Sequence, residues 1–199
     1  MAVSGRQVHP IEQESYRILR TMLDLEDLPW FSRAVVERVV HATADVGYAT
    51  DLVVDEAQLA AGAAALHAGA PLVADVAMVA AGITARRAST FIAAPETVDL
   101  AERTGSTRSA AAIRVAAERV GPGAVWVIGC APTALTQLLQ VGADPAFVVG
   151  LPVGFVGAVE AKAALRVSGL AAVTNRSVKG GSAAAAAAVH ALMHARPLP

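Results

Sequence analysis

The sequence predicts an α/β protein with a doubly wound, mainly parallel five-stranded sheet and additional N-terminal helices. Three observations carry this expectation. The candidate strands are continuous apolar runs rather than alternating ones, as expected for strands covered on both faces. Helical segments follow these runs, and the connections are long enough for right-handed crossovers. Residues 10 to about 70, by contrast, read as helix, with apolar residues recurring at helical spacing.

The elements follow in order. "HPIEQESYRILRTML" places Ile11, Ser15, Ile18, Leu19 and Met22 near one face, with Pro10 at a first helical position. "LEDLPWFS" reads as a linker around Pro29. A second helix is expected behind Ser32 as its cap, running through "ERVVHATADV" toward Gly47. "DEAQLAAGAAALHAG" starts on acidic residues and stops at Gly69, as a helix does. The rhythm then changes. The expected strands are "PLVAD", "STFIAA", "AVWVIG", "AFVVGLP" and "LAAVTN". Between and after them come the helical segments "VAMVAAGI", "ETVDLAERT", "TRSAAAIRVAAERV", "APTALTQLLQ", "GAVEAKAALRV" and "GGSAAAAAAVHALMHA". No repeat or internal linker divides the chain, so residues 1–199 are expected to form one domain, helical over 10–70 and alternating over 71–195.

Composition narrows the function. Hydrophobic residues make up 55% of the chain and charged residues 17%, which suits a core-forming protein rather than a disordered one. The net charge of −1 offers no field for nucleic acid, and no Lys/Arg run or aromatic platform supplies one locally. Cys130 is the only cysteine, so neither an internal disulfide nor a cysteine metal cage is available. The N-terminal stretch has no signal-type apolar core. No uninterrupted apolar stretch is long enough to span a bilayer, and "AVWVIGCAPTALTQLL" is broken by Pro132, so a cytoplasmic protein without a membrane span is expected. Basic residues are fourteen arginines against two lysines. Genomic bias explains most of that imbalance, and bidentate capture of carboxylates is the functional alternative for some.

In an open α/β sheet, ligands bind beyond the carboxyl ends of the strands. The segments there are "GCAPTAL", "GLPVGFVG" and "TNRSVKGGSA". Glycine admits a close ligand, and the next helix presents unpaired N–H groups to an anion, although ordinary tight turns would look the same. No G-x-G-x-x-G follows a strand, "VKGGS" lacks Walker spacing, and no G-x-S-x-G is present. His190 and His194 share i, i+4 spacing but read as a solvated helix end. Arg108 lies near the start of a helix, where a cation is unfavourable; either a bound carboxylate or a nearby acid is expected to compensate it. Arg38, His41 and Asp45 fall on one helix face, with Asp45 placed to set the histidine tautomer. From the residues alone, this is an anion-binding α/β protein with a possible acid/base histidine.

Several segments together resemble the precorrin-8X methylmutase family of cobalamin biosynthesis. They are "YRILR" after Ser15, "RVVHATAD", "GAPLVADVAMVAAGI", "TRSAAA", "APTAL", "VGLPVGFVGAVEAK" and "KGGSAAAAAAVHAL", in the family's order from residue 10 to about 193. The resemblance implies a flavodoxin-like fold and a homodimer with its active site near the subunit interface. It implies methyl migration from C11 to C12 of a tetrapyrrole, giving hydrogenobyrinic acid, with neither cofactor nor metal. His41 matches the catalytic histidine. Ser15, Arg38 and Arg108 match substrate-contacting positions, and Thr107, Lys179, Gly180, Gly181 and Ser182 are expected to join them. A cobalt-precorrin-8 methylmutase and a non-catalytic corrinoid carrier are the alternatives. The sequence departs from the family pattern at Cys130, where asparagine is usual, and at Ala77, where an acid is usual. Cys130 is therefore expected to pack, and Asp75 remains available as an acid.

Overall fold

The computed structural model describes residues 9–195; the ends of the expected domain, 1–8 and 196–199, lie outside the described residues. Its helices and strands are α1 (Pro10–Met22), α2 (Trp30–Thr43), α3 (Tyr48–Asp51), β1 (Leu52–Val53), α4 (Glu56–His67), β2 (Leu72–Ala74), α5 (Ala77–Gly82), α6 (Pro95–Thr104), α7 (Arg108–Val120), β3 (Val125–Ile128), α8 (Pro132–Val141), β4 (Phe147–Gly150), α9 (Ala158–Val167), β5 (Ala172–Asn175) and α10 (Ser182–His194). Among the described residues, no helix is long and apolar enough to cross a membrane.

The sheet has the order β1-β5-β4-β3-β2. Strands β2 to β5 are parallel, and β1 closes one edge antiparallel to β5, pairing Leu52 with Asn175. Four of the five expected strands are present. "STFIAA" is not a strand: only Ser89 bridges to Val73. The fifth strand is the two-residue β1, which is too short to leave a periodic signal and is created by its partner's edge.

Continuous apolar strands follow from cover on both faces. Val125 and Val127 of β3 pack with Phe147 and Val149 of β4 in a core shared with α2, α4 and α10. Trp126, Ile128 and Val148 point the other way, against Ile113, Leu135, Leu138 and Leu165 of α7, α8 and α9. Alternate residues thus fill two cores, and neither face is left for polar residues. Alanine brings helices close: Ala184, Ala185, Ala187 and Ala188 of α10 are all buried beside α2 and the sheet. Gly62 serves the same end, because a Cβ there would stand 2.7 Å from the Phe147 ring.

Two helix boundaries differ from expectation. Ser32 is no cap: α2 starts at Trp30, and Ser32 is buried within its first turn. The cap comes from another helix, since Glu56 accepts from Phe31 N–H, Ser32 N–H and Ser32 Oγ, each at 2.9 Å. At the other end α2 stops at Thr43, with Ala44 left-handed at φ 52°. Asp45 is therefore off the helix, and the expected shared face with Arg38 and His41 does not form.

Candidate active site

Helix α1 lies across α2 and brings Ser15 to His41: Ser15 Oγ is 2.9 Å from Nδ1. The Tyr16 ring stacks on the imidazole, with centroids 4.6 Å apart and planes 11° from parallel. Arg38, one turn before His41, donates to the Tyr16 hydroxyl at 3.1 Å and to Glu12 at 2.8 Å. The two helices are clamped again where Arg20 meets Glu37 through two hydrogen bonds of 2.9 Å. His41 is half-buried. Its Nδ1 is engaged, and Nε2 has no partner among the described residues. A cavity of about 240 Å³ opens beside this cluster, lined in part by Tyr16, Arg38, His190 and His194.

Asp45 does not orient His41, contrary to the spacing argument. It pairs with Lys179 at 2.8 Å, and Ser15 takes the position at the imidazole. The other predicted residues follow around the carboxyl edge of the sheet. Lys179 also lies over the Tyr48 ring, 5.6 Å from its centroid. The Gly180 carbonyl accepts from the Tyr48 hydroxyl at 3.3 Å, and burial first, then nearby Asp45 and Asp51, push the Tyr48 pKa up to about 12. Gly180 passes so close to Leu151 and Pro152 that a Cβ would meet the Leu151 carbonyl oxygen at 2.3 Å. Gly181 precedes α10, and Ser182 opens it with Oγ 3.3 Å from the half-buried Cys130 Sγ. Thr107 caps α7 and meets Thr133 of α8 at 2.7 Å. Arg108 is exposed, the first residue of α7, without an ion-pair partner among the described residues. The neighbouring-acid explanation of that cation is therefore not met within them.

One expected anion site is already filled. Asp75, fully buried, accepts from the N–H groups of Gly129, Cys130 and Ala131 at 3.2, 2.9 and 2.9 Å. The "GCAPTAL" turn thus spends its donors on the protein's own carboxylate, and Asp75 is not available as an acid. Burial raises the Asp75 pKa, against the backbone hydrogen bonds that lower it. His190 is also reassigned: it is half-buried, and its Nε2 accepts from Thr84 N–H at 3.0 Å.

A sequence model described as precorrin-8X methylmutase matches residues 10–195. The chain belongs to the precorrin-8X methylmutase family. The precorrin-8X methylmutase of Pseudomonas aeruginosa is 41% identical over 94% of this chain and 95% of that protein. The cobalt-precorrin-8 methylmutase of Methanocaldococcus jannaschii is 37% identical over 80% of this chain and 77% of that one. A crystal structure of the Thermus thermophilus precorrin-8X methylmutase superposes with a TM-score of 0.83 at 36% identity, covering 92% of this chain and 93% of that one. The methylmutase fold thus supports a helical cluster around His41 and a polar rim at the sheet edge.

Reading the sequence missed Tyr16, Asp51, Lys162 and Asn175. Tyr16 was visible only as the residue after Ser15. Lys162 carried a usable signal: a lysine within an otherwise apolar helix face, and one of only two lysines in the chain.

Proposed function

We propose that this protein is the isomerase that moves a methyl group from C11 to C12 of precorrin-8X, giving hydrogenobyrinic acid in cobalamin biosynthesis. The observation that carries the reading is the Ser15–His41 pair stacked on Tyr16 and flanked by Arg38, inside the span shared with the methylmutase family. When the Ser15 hydroxyl donates to Nδ1, the imidazole proton sits on Nε2, the nitrogen left for the substrate. Protonating a ring nitrogen makes the conjugated system more electron-poor and steers the migrating methyl. General acid assistance of this kind is worth roughly 10²–10⁴-fold, and positioning supplies much of the rest. A 1,5-sigmatropic shift moves no net electrons, so the proposal assigns no cofactor and no metal to the step.

The substrate carries acetate and propionate carboxylates around its rim. Arg38, Arg108 and Lys179 are proposed to receive them, with the Gly180 N–H and the hydroxyls of Thr107 and Ser182; the Gly181 N–H is held by the Leu151 carbonyl at 2.9 Å, so Gly181 shapes the turn into α10 instead. The proposed working form is a cytoplasmic homodimer. Its support is the outer face of α1, where Ile11, Ile18 and Met22 are 74%, 46% and 62% exposed next to Ser15. A second copy covering this stripe would bring the subunit interface to the edge of the His41 cluster.

The test is His41→Ala with precorrin-8X, followed by visible absorbance. The variant is expected to bind the tetrapyrrole and to lose turnover by roughly 10²–10⁴-fold. Conversion at the wild-type rate would remove His41 from the mechanism. A shifted bound spectrum without conversion by the wild type would make the protein a corrinoid carrier. Competition between metal-free and cobalt-loaded substrate decides which form is preferred, since relatives of both names align with the chain.

A further inference from the structure

Lys162 projects from α9 into the loop between β5 and α10, and it is fully buried. Its ammonium has three donors and three acceptors: Asn175 Oδ1 at 2.9 Å, the Lys179 carbonyl at 2.7 Å and the Ser177 carbonyl in a short contact. No carboxylate touches it. Asn175 instead relays to Asp51 at 2.7 Å and also donates to the Lys179 carbonyl at 2.9 Å. Asp51 holds the start of the same loop, accepting from Arg176 N–H, Ser177 N–H and Ser177 Oγ.

The consequence lies on the loop's outer side. A carboxylate is repelled by carbonyl oxygens and attracted by N–H groups. Lys162 draws the carbonyls of residues 177 and 179 inward, and the Tyr48 hydroxyl takes that of Gly180. The Gly180 N–H has no acceptor among the described residues, and α10 begins without a side-chain cap. Lys179 stands beside them, paired to Asp45. An ammonium suits this internal task and a guanidinium does not: it is compact and tetrahedral, whereas the fork is planar and wide. In a chain with fourteen arginines, both lysines meet at this loop.

We propose that Lys162 is a positioning residue of the substrate site: by holding the inward-facing carbonyls of the 175–181 loop, whose N–H groups at 176, 177, 179 and 181 are held within the protein, it leaves the Gly180 N–H and the Lys179 side chain to receive a substrate carboxylate. The carboxylate-bearing substrate rests on the function proposed above; the loop's dependence on Lys162 does not. A pH signature accompanies it. Burial first, and Arg166 nearby, lower the Lys162 pKa to about 8, while Asp51 opposes the shift. The neutral amine has two N–H groups for three acceptors, so one carbonyl is released as pH rises through that value. The other charged or titratable groups around the loop are Arg176 within it, Lys179, Asp45 and Tyr48.

The test compares wild type with Lys162→Met, which keeps the length and removes the charge. Amide hydrogen exchange is expected to quicken in residues 176–181 and to stay unchanged in β3 and β4. Hydrogenobyrinic acid, titrated by absorbance at pH 7, is expected to bind about tenfold more weakly, with the turnover loss appearing in KM rather than kcat. Wild-type affinity is expected to fall through a step near pH 8 that the variant lacks. The global unfolding temperature should not fall with it, because deprotonation relieves the cost of a buried charge. Unchanged loop exchange in Lys162→Met, or identical pH profiles of affinity, overturns the proposal. Should the variant not fold, the absence of a wild-type loop-exchange step between pH 7 and 9.5 overturns it instead. A wild type that neither binds hydrogenobyrinic acid nor converts precorrin-8X refutes the proposed function alone, because the exchange measurement still decides Lys162.

Discussion

A serine, not an aspartate, holds the imidazole of His41, and this changes what the histidine is equipped to do. An aspartate hydrogen-bonded to Nδ1 would stabilise the imidazolium and weaken it as an acid. A neutral Ser15 hydroxyl fixes ring orientation without that charge, while Tyr16 holds the ring plane. Asp75 shows the opposite use of a carboxylate, buried against three backbone donors. Asp75→Asn turns an NH₂ toward those donors and is expected to cost about 1–3 kcal/mol, read by urea unfolding. Because burial raises the Asp75 pKa in the fold, its contribution to stability is complete below the unfolded value, about 3.9, and is lost as pH rises through the raised one. The stability of wild type relative to Asp75→Asn should therefore decline as pH rises above about 4, measured as a series of unfolding midpoints.

Helix α2 is the element on which the site depends, and both its ends are set by features outside its own pattern. Glu56 reaches from α4 to cap the first turn, so Glu56→Ala is expected to destabilise the protein by about 1–2 kcal/mol in thermal or chemical unfolding. At the C-terminal end Ala44 occupies a left-handed conformation that favours glycine. Ala44→Gly is expected to raise stability by up to about 1 kcal/mol and to leave methyl transfer unchanged, checked by melting temperature and a precorrin-8X assay. Because the helix stops there, Asp45 swings to Lys179 and ties the His41 helix to the loop between β5 and α10.

Across the whole molecule, the parallel strands run in the order β5-β4-β3-β2 and their crossover helices point N-termini at one edge. That edge gathers Thr107, Cys130, Gly157 and Ser182 from four separate segments. The α1 stripe lies on the outside of this arrangement. Ile18→Glu is expected to shift the protein from dimer to monomer in sedimentation velocity and to lower turnover, since Ser15 sits on the same helix beside the proposed interface. A monomeric wild type would sink the dimer proposal.

Long apolar runs and helical periodicity make the parallel sheet, its two covered faces and α1, α4 and α7 to α10 legible in the sequence, because these patterns are local. The motif order around Ser15, Arg38 and His41 likewise named a helix pair that the fold brings together. What the chain order could not convey were interactions between distant segments. The two-residue β1 exists because β5 offers an edge, and "STFIAA" fails as a strand while making one bridge. Ser32 lost its capping role to Glu56, twenty-four residues away, and Asp45 lost His41 because one left-handed residue ended the helix early. Whether an acid faces substrate or fills an internal turn, as Asp75 does, depends on which backbone donors the fold lays against it. Spacing along the chain determined the elements; tertiary structure alone decided the partner of each polar group, because hydrogen bonds are settled by proximity in space.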